Sequence, residues 1–399
     1  MALDNDNHQD ILVLNAESTA QTLAKLREVK NKKMKQMESV AITLAFADAS
    51  VSTPEGLVMM FQMVARCFPS LTSLEIRSDI EGDDPVVAPV NVLTAMLHPN
   101  KGPNGLKVLS LQGVRFSGDD KDFHMLTKAI RRHSTLKHCE LYQTSMVNLS
   151  SGVSGMETII SALSKTLEKI VISASRLAPG GARFWSGSSL VKLCRSTTLK
   201  ELKLHHIQEL TEEHIVLMSQ ALRSNKTLRK LSLLKYEENT VDHAEKKNDK
   251  NVKNKKKRQP TKLPVESLSS EAGTLAIANM LRANNAIEEL SLSAMDFNEY
   301  SAMFYGNALE ADNTTLQNIW LLVPTNNGGA SSFPPDEPRI DYFLRLNRAG
   351  RQKVSTLLIE EREGDDSSRA EWVESLVHCK RDVDVSFFFL SKKPSLCQI

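Results

Sequence analysis

Ala221-Leu-Arg-Ser-Asn-Lys-Thr-Leu-Arg-Lys-Leu-Ser-Leu233 returns almost phrase for phrase as Met280-Leu-Arg-Ala-Asn-Asn-Ala-Ile-Glu-Glu-Leu-Ser-Leu292. Each phrase ends a helical pattern and opens a short apolar-x-x-apolar-x-apolar unit. The unit recurs as Leu71-Thr-Ser-Leu-Glu-Ile76, Leu106-Lys-Val-Leu-Ser-Leu111, Leu136-Lys-His-Cys-Glu-Leu141, Leu167-Glu-Lys-Ile-Val-Ile172, Leu199-Lys-Glu-Leu-Lys-Leu204 and Leu316-Gln-Asn-Ile-Trp-Leu321. Successive copies start about 30 residues apart, a period that marks a repeat architecture. One step is long: 287 − 228 = 59, one period of about 29 plus about 30 inserted residues rich in lysine.

Amphipathic helical segments precede the units. In Thr211 to Asn225, Thr211 with Glu212 and Glu213 forms a helix start, and Ile215, Met218, Ala221 and Leu222 share one face. The same pattern holds for Ser270 to Asn284 and for Asp119 to His133. One strand and one helix cannot bury their apolar faces alone, whereas stacked copies bury them against each other. Each fully buried Leu or Ile contributes roughly 1.5–3 kcal/mol, so the copies together form a substantial elongated core.

On these phrases the chain resembles the leucine-rich-repeat family, in its ribonuclease-inhibitor-like subclass, over about Val40 to Pro324. The resemblance implies an α/β, right-handed solenoid, a horseshoe with parallel strands on the concave face and helices on the convex face. The family's ninth motif position is usually Asn or Cys. Here it reads Asp79, Val114, Thr144, Ser175, Ile207, Tyr236, Met295 and Pro324, so irregular turns are expected. Three parts follow. Residues 1–39 are expected to be a loosely ordered N-terminus, before about Asn15, and a basic cap helix over Thr19 to Met37. The solenoid spans 40–324, with its first strand at Val40 to Phe46 and a disordered Lys-rich insertion at 239–266. Residues 325–399 form a loop and a mostly helical C-terminal cap, in which Phe387-Phe-Phe-Leu390 is too apolar to be left in water. Leu346-Asn-Arg-Ala-Gly-Arg351 looks like a segment that follows the repeats in some proteins of this type.

Charge is unevenly placed. The net charge is +2, but Lys246 to Lys262 holds nine Lys or Arg against Asp249, so the remainder carries 2 − 8 = −6. A mildly acidic body argues against nucleic acid bound along the solenoid. Lys255, Lys256, Lys257 and Arg258, followed by Gln-Pro, resemble a nuclear-import signal. A solvated lysine loop is the simpler reading, and contact with RNA or anionic lipid is the third. The acidic N-terminus has no secretory pattern and no stretch is apolar enough to span a bilayer. An intracellular, cytoplasmic protein with a route to nuclear import is the expectation.

No catalytic constellation emerges. Phosphate-binding glycine loops, H-E-x-x-H and G-x-S-x-G are absent. The five cysteines are scattered without paired spacing, and Cys139 stands where the repeat wants leucine. His205-His206 lacks the further ligands that a metal requires. No cofactor, metal or enzymatic role is expected. Alternation along a strand turns the fourth and sixth motif positions inward and the third, fifth and seventh onto the concave face. That face is expected to bind a protein partner through Glu140, Tyr142, Lys203 and His205 at its centre, and through Leu234, Trp320 and Leu322 at an apolar end. Exposed Tyr and Trp are residue types enriched in binding hot spots. Cover of Trp320 and Leu322 by the cap is the competing expectation. The resemblance also implies two alternatives: a GTPase-activating regulator of a small GTPase using a loop arginine (Arg115, Arg176 or Arg183), and an adaptor or sensor subunit.

Overall fold

The helix-then-strand grammar of the sequence appears in the computed structural model as consecutive elements along the chain. Strands β1 (Asp10–Ala16), β2 (Val40–Phe46), β3 (Leu71–Ser78) and β4 (Val86–Pro89) lead into helix α1 (Asn91–Met96). Then come β5 (Val108–Gln112), β6 (Val114–Gly118), α2 (Asp120–Arg132), β7 (His138–Tyr142), β8 (Ser145–Asn148) and α3 (Gly155–Leu163). Next are β9 (Lys169–Ser173), α4 (Gly187–Cys194), β10 (Glu201–His205), α5 (Glu212–Leu222), β11 (Lys230–Leu234) and α6 (Glu271–Ala283). The last are β12 (Glu289–Ser293), α7 (Glu299–Ala311), β13 (Asn318–Pro324), β14 (Ala330–Phe333), α8 (Pro338–Arg348) and α9 (Val383–Lys392). The structure describes residues 10–16, 40–46, 61–64, 70–78, 86–98, 105–148, 155–173, 187–205, 210–234, 271–293, 297–324, 330–352 and 381–392, with a few isolated positions between them.

One sheet of eleven strands runs β1-β2-β3-β5-β7-β9-β10-β11-β12-β13-β14. All its pairs are parallel except the last, where β14 turns back on β13 and covers that edge. Strands β4, β6 and β8 form a second, three-stranded parallel sheet that the repeat reading did not anticipate. Strands β11 and β12 are direct neighbours, with Leu231 opposite Leu290, although the long 59-residue step separates their motifs. The Lys-rich segment, with Lys255 to Arg258, lies outside the described residues.

The fourth and sixth motif positions are buried in every copy from Leu74 and Ile76 to Ile319 and Leu321. They meet the apolar helix faces, including Ile215, Met218, Ala221 and Leu222 of α5. Helix starts are fixed by capping boxes at Asp119, Thr211 and Asn298, each side chain accepting from the third residue on. Cys139 is buried beside a cavity of about 20 Å³ lined by Leu109, Leu136, Leu141 and Met146, the space a longer leucine side chain would occupy.

The expected loosely ordered N-terminus is corrected at Asp10–Ala16, which forms β1 and pairs in parallel with β2, Ile11 opposite Ala41. The reason is periodicity: 41 − 11 = 30, one further repeat step, and Ile11-Leu-Val-Leu14 supplies the strand-forming run. Of the basic helix expected over Thr19 to Met37, only Ala24 and Glu28 are described, and both are helical.

A second correction concerns what holds the turns. Of the ninth-position residues only Val114, Thr144 and Pro324 are described, and among these the buried Thr144 hydroxyl donates to the carbonyls of Leu111 (2.9 Å) and Tyr142 (3.1 Å). A sustained ladder lies three residues before the motif in the later copies. Asn225 donates from Nδ2 to the carbonyls of Cys194 (2.7 Å) and Ser196 (3.0 Å), and its Oδ1 accepts from the amides of Thr227 and Leu228, both at 2.8 Å. Asn284 repeats this one copy on, donating to Leu222 (2.6 Å) and Asn225 (2.9 Å) and accepting from Ala286 and Ile287. Asn313 repeats it again, donating to Leu281 and Asn284 and accepting from Thr315 and Leu316. Ser196 and His133 hold shorter rungs, accepting from the amides of Leu199 and Leu136. These side chains are all buried, and a buried amide or carbonyl left without a partner costs about 1–3 kcal/mol.

Asn347 carries the ladder into α8, donating to the carbonyls of Asn313 (3.2 Å) and Leu316 (2.9 Å). Its Oδ1 is buried and finds no hydrogen-bond partner among the described residues. The chain reverses just beyond, where Gly350 takes φ 94° and its amide donates back to the Asn347 carbonyl. Arg351 then donates to the last carbonyls of α7, Leu309 and Glu310, both at 2.7 Å. Leu346 to Arg351 thus combines a buried leucine, a rung, a reversal and a clamp on the preceding helix. Helix α9 joins α8 through Arg345 to Asp382, and buries Phe389 against Trp372 with ring centroids 6.5 Å apart. The aromatic run is only partly enclosed, since helical spacing turns Phe387 outward at 71% exposure.

Asn284→Ala is expected to cost about 3 kcal/mol or more, having orphaned two carbonyls and two amides, while Asn285→Ala next door, exposed, stays within about 0.5 kcal/mol. Chemical denaturation midpoints of the two variants check this. His133 gives a pH dependence. Burial holds its pKa below the ordinary value, against the opposing hydrogen bond to Pro103, and the neutral ring nitrogen is what accepts the Leu136 amide. The unfolded chain then binds the proton more readily, so His133's contribution is complete above about pH 6.5 and is lost as pH falls below it. Replacing it with the asparagine of the later rungs, His133→Asn, is expected to flatten the fall in midpoint between about pH 7.5 and 5.5.

Candidate interaction face of the sheet

The face of the main sheet turned away from the helices is organised in rows, because parallel strands in register place equivalent positions side by side about 4.8 Å apart. The third-position row runs His138, Lys169, Glu201, Lys230, Glu289, Asn318, each the register partner of the next. The fifth-position row runs Glu75, Ser110, Glu140, Val171, Lys203, Ser232, Ser291, Trp320. The seventh runs Arg77, Gln112, Tyr142, Ser173, His205, Leu234.

Charges alternate in these rows and neutralise each other. Lys169 Nζ lies 3.0 Å from Glu140, Lys203 Nζ 2.8 Å from Glu201, and Lys230 Nζ 2.9 Å from Glu289. Burial by itself would raise the Glu201 carboxyl, but the bond from Lys203 and the charges of Lys203, Lys169 and Lys230 bring it below its ordinary value. The Tyr142 phenol is pushed up, first by burial and then by Glu140 and Glu201, so it stays a neutral donor. His205 Nε2 is 2.7 Å from the Ser232 hydroxyl.

Glu140, Tyr142, Lys203 and His205 are therefore brought together, half-buried, within two strand spacings, about 10 Å. Trp320 is also half-buried but sits five strands from Glu140, about 24 Å along the sheet. The exposed apolar end expected from Leu234 and Leu322 is corrected: both are buried, at 0% and 6% exposure. Ser173 and Ser293, at the same seventh position as Leu234, are buried too, so the C-terminal ends of β9, β11 and β12 are closed on both sides. Leucines there are removed from water, which is where an apolar side chain is most stable. Leu322 lies opposite Ser332 of the edge strand.

Lys169 and Glu201 were not among the residues expected at this face. The signal for both was present as the Lys, Glu, Lys, Glu alternation at the third position of consecutive motifs. His206, Arg176 and Arg183 lie outside the described residues. Arg115 is half-buried within β6, its Nε enclosed without an acceptor among the described residues. Cys139 and Cys194 are buried free thiols whose pKa burial pushes up to about 12, which keeps them unreactive as nucleophiles. Among the described residues no group of three or more His, Cys, Asp or Glu gathers where it could hold a metal ion. Nor is any described helix long and apolar enough to cross a membrane.

No family model matches the sequence, and no curated protein matches it. Among solved structures, a leucine-rich repeat-containing protein, LegL7 of Legionella pneumophila, is similar with a TM-score of 0.44 and 12% identity, over 84% of this chain and 89% of that one.

Proposed function

We propose that the chain is a leucine-rich-repeat scaffold of the ribonuclease-inhibitor-like kind, a right-handed horseshoe closed by a helical cap, which binds a protein partner on its concave sheet face. The observation that carries this reading is the half-buried cluster Glu140, Tyr142, Lys169, Glu201, Lys203 and His205 on β7, β9 and β10. Its groups are fixed in place by the sheet register and by one another, so little ordering entropy remains to be lost on binding. Its charges are matched in pairs, so it presents donors and acceptors without a strong field of one sign. A neutral phenol beside paired ions suits a polar protein surface, and tyrosine is a residue type on which binding energy concentrates. Trp320 offers a second, separate anchor about 14 Å beyond Lys203 along the same row.

The reading assigns binding, not chemistry, to the face. It gives Arg115 no part, since that side chain belongs to the second sheet.

Tyr142→Ala is expected to weaken partner binding by about 2 kcal/mol, roughly thirtyfold, and His205→Ala by less. The amount of each partner captured from cells is to be compared between the native chain and Glu140→Ala, Tyr142→Ala, Lys203→Ala, His205→Ala and Trp320→Ala, each checked for an unchanged circular dichroism spectrum, with reduced capture expected. Retention of every partner by all five variants would remove the sheet face from consideration.

A further inference from the structure

The ladder that sets the repeat spacing also aligns what stands beside it. Arg132 directly precedes His133, Arg195 precedes Ser196, Lys226 follows Asn225, and Arg223 and Arg282 stand two residues before Asn225 and Asn284. Lys165 follows Ser164, whose carbonyl accepts from Ser196. Because the ladder residues bond repeat to repeat, these six cations fall on one edge of the stack, where the helices end and the strands begin. All six are exposed, and none makes an ion pair with a described residue. Adjacent packed helices lie about 8–10 Å apart, so the edge from α2 to α6 presents a row of unpaired positive charge several nanometres in extent. On the strand side of the same edge, Lys137 and Lys200 share the single carboxylate of Glu168.

The opposite edge carries the reverse sign. First turns hold Asp120 and Asp122 in α2, Glu212 and Glu213 in α5, Glu271 in α6 and Glu299 in α7. One basic residue in a last turn is accounted for by the helix dipole. That effect fades beyond the last turn, and it does not account for Lys165 or Lys226, which lie two and four residues past their helices. It also leaves unexplained why the sheet face pairs its charges and this edge does not. A row of like charges repels itself and is relieved when a surface of opposite sign meets it.

We propose that this basic edge is a second interaction surface, distinct from the sheet face, which docks an acidic segment of a partner protein rich in Asp and Glu. The planar fork of arginine, four of the six cations, matches a carboxylate with two parallel bonds. The exposed residues between them, Ser134, Thr197, Ser224 and Asn285, are small and polar. An edge without aromatic side chains offers no platform for stacked bases, which favours carboxylates over single-stranded nucleic acid. The proposal does not depend on the sheet-face reading.

Fluorescence anisotropy of a labelled Glu- and Asp-rich peptide against the full chain tests it. Binding is expected, with affinity falling as salt is raised. The combined variant Arg132→Gln, Arg195→Gln, Arg223→Gln, Arg282→Gln is expected to lose at least about tenfold in affinity, and the Glu versions of the same changes more. The neutral Gln set, with its thermal midpoint recorded alongside, keeps a loss of binding separable from a loss of fold. Tyr142→Ala and His205→Ala are expected to leave peptide affinity unchanged, as is deletion of Lys246 to Lys262. Any of four results overturns the proposal: no binding by the native chain, equal binding by the folded Gln variant, loss of binding on deleting the lysine segment, or tighter binding of duplex RNA than of the peptide.

Discussion

Asn225, Asn284 and Asn313 each reach back to two carbonyls of the preceding repeat and hold two amides of their own, and the stack depends on that bridge. Where a helix ends and a strand begins, the backbone turns through the interior and its polar groups have no helical or sheet partner. A carboxamide is suited to this place, because it supplies two donors and an acceptor from one short side chain. Apolar burial drives the repeats together, but it is non-directional and would tolerate a slipped neighbour. The ladder makes one offset between repeats far more favourable than any other.

From that fixed offset the surface follows. Equivalent motif positions become register partners, so the Lys and Glu at the third position find partners close by: Lys230 with Glu289 across the strands, Lys169 with Glu140, and Glu201 with Lys203. The cations flanking the ladder become a row along one edge, and the acidic helix starts become a row along the other. The ladder also continues into α8. Asn347 makes the backward half of a rung, Gly350 reverses the chain, and Arg351 ties it to α7. The edge of β13 is covered by the antiparallel β14, a strand of four residues, so the last parallel strand is not itself the sheet edge.

Much of the fold was legible in the sequence, because hydrophobic spacing alone encodes it. Leu at the first, fourth and sixth positions foretold the buried strand faces, and the helix over Glu212–Leu222 buries the four side chains assigned to its face. The ladder was not legible, because the resemblance places the turn-holding polar residue at the ninth position. Its own signal, the Asn of Arg-Ser-Asn225 and Arg-Ala-Asn284, is a polar residue in a polar loop, and its burial becomes evident only once repeats are stacked. Strand β1 was missed because Ile11-Leu-Val-Leu14 lies where the motif is already lost. At the candidate site, alternation correctly grouped Glu140, Tyr142, Lys203 and His205 on one face. It erred at Leu234 and Leu322, since alternation says which side of a sheet a residue faces and not whether that side meets water.

The most direct test of this account is amide hydrogen exchange at Leu228, Ile287 and Leu316, whose N–H groups donate to the Oδ1 atoms of Asn225, Asn284 and Asn313. These amides sit in loops, before their strands begin. A ladder that fixes the repeats predicts protection as strong as that of central strand amides such as Leu231 and Leu290. Exchange at the rate of the exposed loop amides of Ser224 and Asn285 would contradict it.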